Sequence, residues 1–166
     1  MSISNFKKRS QAQGDYVRIA YMKHNNELLK HIYKDASMAT YTITTLLEDL
    51  KDKNNKIKNT TEKILKDYQE FETKAKELLE KNDEEPKGEG MMTKMMSSMG
   101  VTKEVNKDNS DSAIADMLIK GISMGSIEME RKIKDYSKEV DKKILKLAED
   151  FLEFQENSIE KLKEFL

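Results

Sequence analysis

Four stretches of this chain carry apolar residues in alternating steps of three and four, and the first two map onto the last two. Leu29, Ile32, Ala36, Ala39, Ile43, Leu46 and Leu50 make the first seam. Ile57, Thr61, Ile64, Tyr68, Phe71, Ala75 and Leu78 make the second. Such spacing puts every member on one side of an α-helix. Aligning Ser37-Met38-Ala39-Thr40 with Ser123-Met124-Gly125-Ser126 carries the first seam to Ala115, Leu118, Ile122, Gly125, Met129, Lys132 and Tyr136. Aligning Tyr68-Gln69-Glu70-Phe71 with Phe151-Leu152-Glu153-Phe154 carries the second to Val140, Ile144, Leu147, Phe151, Phe154, Ser158 and Lys161. Most of these positions suit a core, and at the C-terminus Ile159, Leu162 and Phe165 take over. A helix with one apolar stripe is unstable alone and must bury that stripe against others. The repeat predicts an all-α fold, an antiparallel four-helix bundle made of two repeated helical hairpins.

Local signals set the boundaries. Residues 1–24 form a basic lead-in, with Lys7, Lys8, Arg9, Arg18 and Lys23 against Asp15 alone, and Gly14 interrupts it. It reads as a solvated, unordered tail, with a phosphate- or lipid-contacting arm as the sharper alternative. Asn25 or Asn26 is suited to cap the first long helix. The bundle then occupies 25–166, as a hairpin at 25–81, a crossover at 82–109 and a hairpin at 110–166. Pro86, Gly88 and Gly90 break the pattern after Lys81. A short Met-rich helix is expected from Met91 to Met99, ended by Gly100. Ser110 or Asp111 should cap the next helix. A crossover this long can run the length of the bundle, which simple up-and-down connectivity would not require.

Composition excludes several chemistries. The chain has no cysteine, so disulfides, zinc–thiolate sites, iron–sulfur clusters and cysteine nucleophiles are out. A net charge of -1 supplies no overall field for nucleic acid. Arginine is confined to Arg9, Arg18 and Arg131, which leaves few bidentate phosphate clamps. No segment approaches the roughly 20 apolar residues of a membrane span, and the N-terminus lacks a signal-peptide run, so a cytoplasmic location is expected.

The run Ser112-Ala113-Ile114-Ala115-Asp116-Met117-Leu118-Ile119-Lys120-Gly121-Ile122-Ser123-Met124-Gly125 carries a resemblance, as does the closing Leu152-Glu153-Phe154-Gln155-Glu156-Asn157-Ser158-Ile159-Glu160. Together they resemble small uncharacterised ferritin-like helical-bundle proteins of Firmicutes, of the clostridial type. The resemblance covers about residues 27 to 166. It implies the ferritin-like bundle and a bacterial cytoplasmic setting, and it implies no activity. Relatives often carry His where this chain has Ala113.

Ferritin chemistry would need inward Glu on two helices and Glu-x-x-His on the other two, and no Glu-x-x-His occurs. The seams point Ala, Ile, Leu, Phe and Tyr inward. Glu70, Glu128 and Glu153 beside the seams, with His31, are the remaining metal candidates, and exposed helix faces explain the glutamates better. His24, Glu27 and His31 would share one face of a continuous helix, but a helix starting at Asn25 or Asn26 leaves His24 outside. Met91, Met92, Met95, Met96 and Met99 form one helical face. The preferred expectation packs them onto the bundle; the alternatives are an exposed partner-binding lid and a soft-metal Cu(I) site. Gly121 and Gly125, opposite Ala36 and Ala39, predict either a narrow waist, which is preferred, or a mid-bundle cavity. No catalytic constellation and no cofactor motif is visible.

These readings converge on a non-catalytic bundle serving as a protein-binding or structural module, without a di-iron site. Its expected partner is another protein or a second copy, not nucleic acid. The alternatives are a divergent iron- or manganese-binding bundle and a soft-metal or stress-related binder using the Met cluster.

Overall fold

A computed structural model describes residues 3–166. The described residues form five α-helices and no strand: α1 (Ile3–Asp49), α2 (Lys58–Lys81), α3 (Met91–Lys107), α4 (Asp111–Tyr136) and α5 (Lys142–Lys163). α1 packs against each of the other four, and α2 also meets α5. The first three seams are buried largely as their spacing requires.

Cross-helix contacts fix the directions. Near the start of the packed part of α1, Asn25 bonds to Asp141, while at its far end Asn55 bonds to Asp111. Asp35 lies against both Gly125 and Gln155. α1 and α5 therefore run one way, and α2 and α4 the other. α3 runs parallel to α1 over its outer side: Lys94 bonds to Ser37, Ser98 to Thr45 and Thr102 to Asp49. The preceding loop is fastened to the same helix by Glu84 on Asn26 and Lys30 and by Glu89 on Lys34. The crossover thus travels from one end of the molecule to the other, pinned to α1 about once per turn.

Four expectations need correction. First, α1 does not begin at Asn25 or Asn26; it runs from Ile3, so residues 3–24 of the basic lead-in are its continuous extension, exposed as far as Lys23 except for half-buried Ala20, and residues 1–2 lie outside the described residues. The two asparagines instead serve other helix ends, Asn25 by capping a backbone group and Asn26 through side-chain bonds alone. Asn25 Nδ2 donates to Asp141 Oδ2 at 2.9 Å, and Asn25 Oδ1 accepts from the Asp141 backbone N–H at 2.9 Å, at the N-terminus of α5. Asn26 accepts from Asn82 Nδ2 at 2.9 Å, at the C-terminus of α2. Helix ends leave four orphan backbone groups each, so polar residues are needed where two ends meet α1.

Second, Gly100 does not end the Met helix. Its Cβ side is open, and Val101 and buried Val105 continue the packing face to Lys107. Third, the last seam rolls by one residue. α5 buries Ile144, Ala148, Phe151, Gln155, Ser158 and Leu162, so Ala148 and Gln155 replace Leu147 and Phe154, and Lys161 is exposed. Within α5 the buried positions still alternate in steps of four and three; against the expected seam every second position moves one residue on, while Val140, buried before the helix starts, stays in place.

The fourth correction concerns the methionines. α3 turns Lys94, Ser97, Ser98, Val101, Thr102 and Val105 toward the protein. Met91, Met92, Met95, Met96 and Met99 face outward, 52–76% exposed. They are not packed onto the molecule.

The aromatic residues aligned by the repeat meet across the core. Tyr68 stands edge-on to Phe154 at 4.8 Å between ring centres, and Phe71 to Phe151 at 5.0 Å. Ser110 caps α4 by accepting from the Ala113 backbone N–H at 3.2 Å. α2 ends with Asp83 in the left-handed region (φ 56°), where the Glu84 and Asp83 amides return to Leu79 and Glu80. That is the Schellman ending, usually built with glycine.

Candidate functional site: a half-buried carboxylate at a mid-molecule cavity

Asp35 follows His31 by one turn of α1, so both project toward the α4–α5 side. The Asp35 Oδ2 accepts from Gln155 Nε2 at 2.6 Å. The same Nε2 lies 3.5 Å from Tyr68 Oη. Gln155 is fully buried, and its Oε1 has no partner. The amide is held in this sense because the carboxylate demands a donor. Among the described residues, no Lys, Arg or His forms an ion pair with Asp35. Burial therefore pushes its carboxyl up to about 6, against the lowering effect of the Gln155 bond, and the nearby Glu128 charge adds to the rise. Burial also raises the Tyr68 hydroxyl, assisted by the Asp35 charge.

Gly125 is what lets this cluster form. A Cβ there would collide with the Asp35 carboxylate and stand 2.8 Å from Gln155 Nε2. Gly121, one turn earlier, faces open space instead, with nothing within 4 Å of a Cβ. The expected narrow waist exists only at Gly125. Beside it lies a cavity of about 390 Å³, bounded by α1, α2, α3 and α4. Its walls include Ala39, Ile43, Leu118 and Gly121, with Asp35 and Tyr68 contributing polar groups. Close packing therefore holds at Gly125, while Gly121 borders open space.

The metal candidates do not assemble. Glu70 and Glu153 are exposed, and Glu128, also exposed, pairs with Arg131 at 3.4 Å. His31 is half-buried, and its Nε2 has no partner. Burial lowers its pKa from 6.5, with Lys132 acting in the same direction. His31, Glu27, Glu128 and Lys132 line a second, polar cleft of about 430 Å³. His24 takes a different role: it stacks on Tyr136 at 4.7 Å, with Nδ1 2.9 Å from Glu139. Among the described residues, no group of three or more His, Asp or Glu is placed to hold a metal ion.

Asp35 and Gln155 are the residues that seam reasoning passed over. Asp35 sits one position before Ala36, on the shoulder of the first seam. Gln155 lies one position beyond Phe154, the residue that the repeat carries into the seam, and is buried in its place. Glycine at 125 was the available signal, because a small residue in a seam invites a neighbour to reach across it.

No described helix is long and apolar enough to cross a membrane. Comparison of the chain with protein-family models, with curated proteins and with solved structures finds no match.

Proposed function

We propose that this chain is a ferritin-like antiparallel four-helix bundle of two repeated hairpins that works as a non-catalytic, cytoplasmic protein-binding module. α1 and α2 are one hairpin, α4 and α5 the other, and α3 lies in the long crossover between them. The helix directions and the length of that crossover support the ferritin-like reading.

One observation carries the binding role. α3 buries a side made of Ser, Thr and Val and leaves five methionines in solvent. A short amphipathic helix ordinarily buries its larger apolar side chains against its own chain. Apolar patches left exposed mark interaction sites, and methionine is the side chain that adapts best to a partner of varied shape. Tyr41, Thr45, Met95, Met99 and Thr102 shape a shallow surface depression on the same face, suited to a protruding side chain.

The test places a photo-crosslinking residue at Met95 in cells of the native source. The expected result is a discrete protein adduct, or a dimer of this chain, that disappears when Met92 and Met96 are changed to Gln. Adduct formation indifferent to those changes would remove the methionine face from the reading. Tight Cu(I) binding lost in Met95→Leu would favour the soft-metal alternative, and stoichiometric iron or manganese in purified protein would favour the divergent metal-binding one.

A further inference from the structure

We propose that the cavity beside Gly121 is a binding site for a small amphiphilic amine, its apolar body lying among the aliphatic and methionine side chains and its ammonium group on Asp35. This site is separate from the methionine face of α3 and does not depend on it.

Three observations converge. The cavity volume of about 390 Å³ lies in the range of small-molecule sites. Its wall is mainly apolar, with Thr42, Tyr68 and Ser97 as neutral polar members, and Asp35 is the one charged residue in it, with no Lys or Arg to neutralise an anionic ligand. The Asp35 carboxylate has Gln155 as its single hydrogen-bond donor, on Oδ2, and no cation. A carboxylate taken out of water without a counter-charge is costly, and a bound ammonium group supplies that charge together with a hydrogen-bond donor. A carboxylic acid of the same shape would meet like charge, and an alcohol would offer a donor without charge.

The fold also keeps this space open. Gly121 presents no side chain, Ala39 a single methyl, and Met38, Met117 and Met124 can shift to fit an occupant. Cores ordinarily close such spaces. Here α3 bridges the groove with Ser97 and Val101, two small side chains, where a larger pair would fill it.

The experiment uses the full chain and three probes of matched length: n-octylamine, 1-octanol and octanoate. Binding is read by calorimetric titration and by ¹⁵N-amide shifts of Gly121 and Gly125. Octylamine is expected to bind at least tenfold tighter than octanol, with octanoate weakest, and to move both glycine signals. Asp35→Asn should bring amine affinity down to that of the alcohol. Gly121→Leu, which projects a side chain into the cavity, should abolish binding of all three probes. Equal affinities in the native chain, amine preference that survives Asp35→Asn, unmoved glycine signals or absence of binding would each overturn the proposal. Should Asp35→Asn fail to fold, Gly121→Leu still decides whether the probes occupy this cavity.

Discussion

Gln155 donates its amide to Asp35 at 2.6 Å while its own carbonyl oxygen stays buried without a partner. One half of the side chain is satisfied by a charged acceptor and the other half is left dry. The pair is therefore a place where the interior gives up stability, the behaviour expected of a site rather than of a core.

The cost is readable as pH dependence. A carboxyl raised from 3.8 to about 6 holds its proton more readily in the folded chain than in the unfolded one. Its contribution to stability is full below about pH 4 and is lost as pH rises through 6. Asp35→Asn should thus stabilise the chain at pH 7.5 by up to about 3 kcal/mol, with the advantage gone near pH 4. Urea midpoints at the two pH values check this; an equal shift at both would show that the charge is not the cause.

His31 works in the opposite direction. A base whose pKa is lowered by burial resists protonation when folded, so stability falls as pH drops below 6.5. His31→Gln should flatten the acid limb of a thermal-melting profile between pH 6.5 and 5 while leaving the melting point at pH 8 within a few degrees. A titration of the His31 ring signals by NMR gives the same answer independently.

The two glycines of α4 separate close approach from open space. Gly125→Ala should cost about 1–3 kcal/mol, since the new methyl displaces the Asp35–Gln155 pair. Gly121→Ala should gain up to about 1 kcal/mol from helix propensity, with nothing to collide with. Paired denaturation curves measure both, and effects of the same sign would contradict the geometry.

Asn25 has two hydrogen bonds to Asp141, one through each end of its amide. Asn25→Ala leaves the first backbone N–H of the α5 turn without this acceptor and should cost about 1–3 kcal/mol. Hydrogen exchange should show faster opening of residues 138–145 than of α2.

At the end of α2, Asp83 occupies a left-handed conformation that suits glycine better. Asp83→Gly should stabilise the chain by roughly 0.5–1 kcal/mol. A raised thermal midpoint with an unchanged spectrum is the expected readout.

The helices were legible because seams such as Leu29 to Leu50 state their own period, and the fold follows from burying them. What escaped was set by geometry between elements. Carrying the α2 seam across put Phe154 in the stripe and left Gln155 outside, whereas α5 turns the neighbouring stripe of Ala148, Gln155 and Leu162 inward as it packs on α1 and α2. Asn25 carried the right local signal, a capping residue, but the end it caps belongs to α5, and Asn26 ties the side chains of Asn82 and Glu84 after α2 to α1. The methionines had helical spacing equally suited to either orientation. Ser98 and Val105, which fit the groove beside α1, decided which side faced inward.

The uninterrupted course of α1 has a hydrodynamic consequence. Its 47 residues span about 70 Å, whereas the 22 of α5 span about 33 Å. The chain is therefore a compact head with a stiff rod leaving one end, and its tumbling must be anisotropic. It should migrate in gel filtration ahead of a sphere of 19.3 kDa even as a monomer, and amide relaxation should report different correlation times for residues 5–20 and for the core of α5.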